Sequence, residues 1–249
     1  MSRNRVYSRK PLDRETDHPF FIHAAIEKDK ATAGRIDLRS RLIPVYDQGQ
    51  LGSCTANAFC AAVAFVLRGF QGSRLFLYYN ERLLEQTTDQ DSGALMSDGI
   101  RALQVYGLCP EKLWPYQVTR FTLRPTPPCY STALLHRVVS FARVRQDLAS
   151  MKACLGAGFP FAVGILVFDS FESDAAAQTG GVPMPDRSTE TLLGGHAVLC
   201  VGYDDARSVW IMRNSWGVQW GDHGYFYLPY AYLLDPSLTS DLFVVYKST

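Results

Sequence analysis

CTANAFCAAVAFVL, residues 54–67, is an alanine-rich segment that is apolar on nearly every side. Alanine has the highest helix propensity, and a helix that is hydrophobic all round belongs in a protein interior. Ser53 is placed to cap this helix at its start, and Gly69 after Arg68 is placed to end it. The segment is therefore predicted to form a buried central helix.

The sequence on the C-terminal side of this helix changes character once. Helical patterns cover Ser73 to Gln86 and Ser97 to Gly107, and the proline-rich stretch RPTPPCY then interrupts the chain. After about Ala133, short apolar runs alternate with turn residues, which is typical of strands; the runs are VVSFARV, FPFAVGILVF, HAVLCVGY, VWIMRN, GYFYL and LFVVY. One helical pattern, RQDLASMKACLGAG, lies between the first two runs. This order predicts an α+β fold in residues 36–249, with a mainly helical lobe (36–132), an antiparallel, barrel-like lobe (133–249) and a cleft between them.

Residues 1–35 are polar, basic and weakly periodic, which is typical of an extension to the globular part. One apolar patch, Phe20–Ile26, interrupts this stretch, and an exposed patch of that kind needs a surface to cover it. We expect the patch to lie near the rim of the cleft and restrict access to it, or to pack on the back of a lobe and add stability.

The charge and hydrophobicity of the chain indicate which partners and which cellular location to expect. The formal net charge is +1, which favours neither nucleic acid nor a membrane surface as the partner. No apolar run has the roughly 20 residues of a membrane-spanning helix, and the N-terminus lacks the apolar core of a signal peptide. We expect a cytoplasmic monomer, or export by a route without a classical signal peptide.

Six cysteines in such a chain are expected to be mostly free thiols. A bridge between Cys109 and Cys129 stays open. No CxxC pair or Cys/His cluster has zinc-like spacing, and neither a metal nor a cofactor is expected.

Cys54 would stand in the first turn of the central helix. Unpaired backbone N–H groups and the helix dipole favour a thiolate there, which suits a nucleophile. A cysteine in an apolar helix is more often a core residue, so a partner is needed to support a catalytic role.

A catalytic partner for Cys54 is offered by two segments, HAVLCVGY and VWIMRNS. They flank the turn-rich DDARS and predict an antiparallel hairpin. If the turn is centred on Asp205, His196 and Asn214 lie directly opposite each other on one face. The Asn214 amide could then accept the proton of one ring nitrogen and direct the other nitrogen towards a thiol. Either residue alone would be an ordinary strand histidine or turn asparagine.

Two further residues fit this arrangement. Trp216 is two positions beyond Asn214, on the same side of an extended chain, and could cover the His196–Asn214 hydrogen bond from water. Gln48 precedes Cys54 by six residues in a glycine-containing loop. Its side-chain amide, with the backbone N–H of Cys54, would make a two-donor oxyanion hole.

Three blocks in this order, DQGQLGSCTANAF, GGHAVLCVGYDD and RNSWGVQWGDHGYF, resemble the signature motifs of the papain and cathepsin family of cysteine peptidases. His196 lies 142 positions after Cys54 and Asn214 lies 160 positions after it, which is similar to the family's spacing. The resemblance covers Ile36 to the C-terminus. It implies the papain-like two-lobed fold, peptide or protein substrates, and a resting ion pair of thiolate and imidazolium.

The resemblance also implies substrate-binding positions. Gly93 best matches the glycine that holds the substrate backbone, and a roomy apolar side-chain pocket would be bordered by Ala94, Leu95, Gly164 and Gly194. Leu51 replaces the family's usual cysteine before the nucleophile, which supports folding in a reducing compartment. Thr55 replaces the aromatic residue that normally follows the nucleophile. Bacterial members share the GSCTANA form. Since only about 35 residues precede the catalytic part in this sequence, we do not expect the long helical propeptide of lysosomal members.

These observations predict a thiol peptidase, an endopeptidase rather than an exopeptidase, that hydrolyses peptide bonds through a thioester on Cys54. A Cys-His acyltransferase of the transglutaminase type would use the same thioester, but such enzymes usually orient the histidine with aspartate. A noncatalytic peptide-binding protein on this scaffold is the other alternative, and an intact set of Gln48, Cys54, His196 and Asn214 argues against it.

Overall fold

A computed structural model describes Tyr7 and residues 34–248. After strand β1 (Arg35–Asp37), the first half contains four helices: α1 (Cys54–Val66), α2 (Arg74–Leu84), α3 (Met96–Val105) and α4 (Pro127–Ala133). The second half contains six strands and three helices: β2 (Val138–Arg143), α5 (Leu148–Gly156), β3 (Phe161–Phe168), α6 (Asp174–Thr179), β4 (Leu192–Asp204), β5 (Val209–Arg213), β6 (Tyr225–Pro229), α7 (Tyr230–Leu234) and β7 (Thr239–Ser248). The α+β class predicted from the sequence is confirmed.

Helix α1 is buried along almost its whole length, because its side chains are small or apolar and neighbours surround it. It ends at Val66, and the N–H of Gly69, at a φ of 95°, bonds to the carbonyl of Ala64 (2.8 Å). Ser53 holds the N-cap position, but its side chain makes no capping bond. The predicted capping role of Ser53 is therefore wrong, since its hydroxyl bonds to Tyr116 instead (2.5 Å).

The strands form one antiparallel sheet in the order β2-β7-β3-β4-β5-β6, with β1 paired to β4. Among the described strands, β2 and β6 do not pair, so the sheet is open rather than a closed barrel. Long central strands fit this sheet because their residues are nearly all buried, as in the FAVGILVF of β3.

Strand β4 separates two hydrophobic cores. Ala197, Leu199 and Val201 face the core that contains most of α1, whereas Val198 and Cys200 face a second core with α5 and most of the buried aromatic residues. This alternation follows from the two-residue period of a strand. The helical lobe therefore packs directly on the sheet, and the motif blocks meet where α1 crosses β4.

The β4–β5 hairpin exists as predicted, but its predicted register is wrong. Leu199 pairs with Arg213, and beyond an irregularity after Cys200 the pairing continues to Asp204 opposite Val209. The turn spans residues 205–208, where Ser208 has a φ of 52° and its N–H bonds to the carbonyl of Asp205 (3.1 Å). The pairing ends at Leu199 opposite Arg213, so Asn214 follows the last paired residue of β5 and is not directly opposite His196.

Candidate active site

The candidate nucleophile, Cys54, is the first residue of α1 and is fully buried. The loop before it is fixed by hydrogen bonds rather than by secondary structure. The Tyr116 hydroxyl donates to the carbonyl of Gln48 (3.0 Å) and bonds to Ser53 Oγ (2.5 Å), and the N–H of Gly52 donates to the Asp91 carboxylate (3.0 Å). These contacts set the direction in which the chain enters the helix, and with it the position of the thiol.

On the sheet side, His196 Nε2 lies 2.9 Å from Asn214 Oδ1, although the two residues are not directly opposite. The same oxygen accepts the N–H of Ser215 (2.8 Å), so it acts as a double acceptor. An acceptor at this distance requires the proton of a neutral imidazole to lie on Nε2, which leaves Nδ1 as the nitrogen that can exchange a proton with a thiol.

Trp216 stacks on the imidazole of His196, with ring centroids 4.9 Å apart and planes 23° apart. Phe171 and Trp220 pack edge-on against Trp216 at 5.4 and 4.8 Å. His196 and Asn214 are only 1% and 3% exposed as a result. The aromatic cluster keeps water from the His196–Asn214 hydrogen bond, which strengthens it electrostatically.

Gln48 is buried and held at three points. Its N–H donates to the carbonyl of Ser215 (2.8 Å), its Oε1 accepts the Ser215 hydroxyl (2.5 Å), and its Nε2 donates to the carbonyl of Leu51 (3.0 Å). Because Oε1 is occupied by a donor, the amide NH₂ is fixed as the donating end. Nε2 carries two hydrogens, so one stays available for an oxyanion.

Two residues of this arrangement escaped the sequence reasoning. Ser215 ties the oxyanion loop to the Asn214 strand, and its place between Asn214 and Trp216 was a usable signal. Tyr116 bridges Gln48 and Ser53, and burial raises the pKa of its phenol to about 12, so the hydroxyl stays protonated at neutral pH. It is 62 positions after Cys54 and outside the three motif blocks, so only the folded chain reveals this contact.

The positions expected to bind substrate lie on both sides of α1. Gly93 has a φ of 67°, and its N–H already donates to the Tyr78 hydroxyl (3.1 Å). Ala94 is fully buried and Leu95 is half-buried. Their roles in substrate binding stay predictions.

On the sheet side, Gly164 pairs with Ala197, next to His196, and Gly194 lies two residues before His196. A Cβ added at Gly194 would come within 2.6 Å of the Tyr7 side chain. Tyr7 also makes edge contacts with His196 (6.2 Å) and Trp216 (6.1 Å), and its hydroxyl donates to Glu172. One residue of the N-terminal extension therefore covers part of this site, whereas the predicted patch Phe20–Ile26 lies outside the described residues.

None of the six cysteines forms a disulfide, so Cys109 and Cys129 are not bridged. Burial raises the pKa of the thiols of Cys60, Cys109, Cys154 and Cys200, which makes them poor nucleophiles. Within residues 34–248 no three Cys, His, Asp or Glu side chains are grouped as a metal site would require. No helix of this part is long and apolar enough to cross a membrane.

Comparisons with known proteins agree with this geometry. An uncharacterised peptidase C1-like protein of Acanthamoeba polyphaga mimivirus is 39% identical over 96% of this chain and 82% of its own length. The crystal structure of xylellain, a cysteine protease from Xylella fastidiosa, superposes with a TM-score of 0.88 at 37% identity and covers 98% of both chains.

A cathepsin L-like proteinase of Fasciola hepatica is 29% identical over a region that covers 79% of this chain and 60% of that protein. The model of the papain family of cysteine proteases matches residues 32–232, which include all three motif blocks. The chain therefore belongs to the papain family of cysteine proteases, and it is a hydrolase.

Proposed function

We propose that this protease is an endopeptidase in which Cys54 forms the thioester, His196 moves the protons, Asn214 orients His196 and Gln48 stabilises the oxyanion. The observation that carries the proposal is that Ser215 makes two hydrogen bonds, one to Asn214 and one to Gln48. Its N–H bonds to Asn214 Oδ1 and its hydroxyl bonds to Gln48 Oε1, so one residue aligns the candidate base and the candidate oxyanion donor.

The chemistry then proceeds in two halves. The Cys54 thiolate attacks the carbonyl carbon of the scissile bond, and the oxyanion is held by the N–H of Cys54 and Nε2 of Gln48. His196 Nδ1 gives its proton to the leaving amine, and the thioester forms. Water then gives a proton to Nδ1 and its oxygen attacks the thioester carbonyl carbon, which breaks the C–S bond, releases the acid and restores the Cys54 thiolate beside the His196 imidazolium.

An endopeptidase is favoured over an exopeptidase because the sequence shows no obvious insertion that would close the cleft. A peptide library with blocked termini tests this point, since an exopeptidase requires a free terminus. Adding a primary amine tests the acyltransferase alternative, because transfer to the amine would replace hydrolysis as the main product.

Labelling with a peptidyl epoxide tests the nucleophile. We expect one label per chain, mapped to Cys54 by mass spectrometry, and neither label nor cleavage in Cys54→Ala. Cys154→Ala is the matched control, because that buried thiol lies in the other core and should leave both readouts unchanged. Labelling elsewhere, with cleavage retained in Cys54→Ala, would overturn the assignment.

We also propose that residues 1–35 restrict access to the site. The contacts of Tyr7 with Gly194, His196 and Trp216 support this proposal. Deleting residues 1–34, or changing Tyr7 to Ala, should increase kcat/KM on small peptides and the rate of Cys54 labelling. Tyr7→Phe keeps the ring and should behave as the wild type. Unchanged labelling rates after the deletion would show that the extension adds only stability.

A further inference from the structure

The helical core contains a carboxyl group that the proposed chemistry does not use. Glu81, on α2, is fully buried, and its Oε2 accepts a hydrogen bond from the Thr55 hydroxyl (2.7 Å). Thr55 is the residue after Cys54 and stands in the same first turn of α1. A side chain deep in the lobe is thus linked to the turn that carries the nucleophile.

The surroundings of the Glu81 carboxyl group are tightly packed. Its other oxygen, Oε1, has no hydrogen-bond partner among the described residues. Helix α3 approaches through Gly99, where an added Cβ would come within 2.5 Å of the Phe59 ring and 3.0 Å of Glu81 Oε1. The close approach of α3 shields the carboxyl group from water on that side.

The charged groups near Glu81 do little to stabilise an ionised carboxylate there. The guanidinium of Arg82 donates to the carbonyls of Thr88 (2.9 Å), Gln90 (2.8 Å) and Phe121 (2.5 Å) rather than to Glu81. The groups that face Glu81 from the three helices are the Cys60 thiol on α1, Arg82 and the C-cap residue Glu85 on α2, and Asp98 on α3. Two of these four groups are themselves acids.

Burial is the largest effect on this group, and it raises the pKa of Glu81 to about 8. The Thr55 hydrogen bond and Arg82 lower the pKa, and Glu85 and Asp98 raise it. An unpaired carboxylate in a dry interior is costly, so the group retains its proton instead.

We propose that Glu81 is a positioning residue that acts as a neutral carboxylic acid and fixes Cys54 through Thr55. The aromatic residue that commonly follows the nucleophile in this family is Thr55 here, so the first turn of α1 lacks a large ring to anchor it. The hydrogen bond to Glu81 anchors the turn instead. It sets the Cys54 thiol and N–H, whose position must be accurate to about 0.5 Å in a catalytic site.

This inference rests on the proposed function for its catalytic meaning, but its test does not require peptidase activity. Alkylation of Cys54 by iodoacetamide, measured from pH 6 to 10 with the site mapped by mass spectrometry, reports the placement of the thiol directly. Cleavage of a blocked peptide, split into kcat and KM, is measured beside it. Circular dichroism checks that each variant folds.

We expect Glu81→Leu and Thr55→Val each to lower the alkylation rate and kcat about tenfold with little change in KM. Glu81→Gln, which keeps a neutral hydrogen-bonding side chain, should restore most of the loss in Glu81→Leu, and Thr55→Ser should restore the loss in Thr55→Val. The alkylation rate of the wild type should rise less steeply with pH through about 8 than that of Glu81→Gln, because an ionised Glu81 raises the pKa of the nearby thiol. Because both proteins keep His196, a difference between the two profiles is not due to the titration of His196.

Superimposable pH profiles for the wild type and Glu81→Gln, together with a wild-type alkylation rate in Thr55→Val, would overturn the inference. If Glu81→Leu fails to fold, Thr55→Val and Glu81→Gln decide the question alone. A wild type that cleaves no peptide, yet shows the alkylation pattern above, would refute the proposed function and leave the positioning role supported.

Discussion

The two halves of the candidate site are held by different forces. The nucleophile half, Gln48 to Thr55, depends on side-chain hydrogen bonds from Tyr116, Ser215 and Glu81 to a loop and a helix start. The base half, His196 with Asn214, depends on strand pairing in β4 and β5 and on the rings stacked around Trp216.

This difference predicts how each half responds to mutation. Only a few hydrogen bonds hold the loop and the helix start, so a single polar substitution should displace the residues of the nucleophile half and lower activity. Strand register and aromatic packing are shared among many contacts, so the base half should tolerate the loss of one polar partner better. Substitutions in each half, and the pH dependence of stability, test this contrast.

The largest loss is expected from His196→Ala, because it removes the proton-transfer group, which is worth about 10²- to 10⁴-fold. Asn214→Ala should retain clearly more kcat, since Trp216 and the strand still hold the ring. The measurement is kcat on a blocked fluorogenic peptide, with folding checked by circular dichroism. Equal and complete losses in two folded variants would contradict the division of roles.

Gln48→Ala should lower kcat about 10²- to 10³-fold with a small change in KM, because it removes an oxyanion donor that acts in the transition state. Ser215→Ala should lower kcat less, since it frees the Gln48 amide without removing it. Gln50 is exposed in the same loop, so Gln50→Ala is the matched control. A wild-type kcat in Gln48→Ala would remove Gln48 from the mechanism.

Tyr116→Phe should lower kcat about 2- to 10-fold, because it removes one hydroxyl that bonds both Ser53 and the carbonyl of Gln48. Tyr130→Phe is the control in the same lobe, since the Tyr130 hydroxyl bonds to Asn80 on α2 (3.2 Å), which lies outside the loop before Cys54. Steady-state kinetics compare the two variants. Identical kcat values would show that the loop holds its position without Tyr116.

The last prediction concerns stability rather than activity. The raised pKa of Glu81 means that the folded chain keeps a proton between about pH 4.5 and about 8 that the unfolded chain releases. The free energy of unfolding should therefore fall as pH rises through this window, by up to about 1.4 kcal/mol per pH unit, and level off above it. Urea unfolding of the wild type and Glu81→Gln at pH 5 and pH 8 measures this, and equal pH slopes would contradict it.

The sequence by itself determined the class of the fold and the identity of the candidate catalytic groups. Local patterns carry that information: the alanine-rich run predicts α1, alternating apolar runs predict the strands, and three ordered motif blocks point to the papain family. The hairpin that brings His196 near Asn214 is also a local structure, so its existence was predictable.

Only the tertiary structure decided the details that depend on contacts between distant segments. The register of β4 and β5 differs from the prediction because the turn is centred beyond Asp205 and β4 is irregular after Cys200. The Ser53 hydroxyl binds Tyr116, 63 positions away, instead of capping its own helix. The raised pKa of Glu81 follows from burial among α1, α2 and α3, and no local pattern encodes the desolvation that a side chain meets only when the core closes.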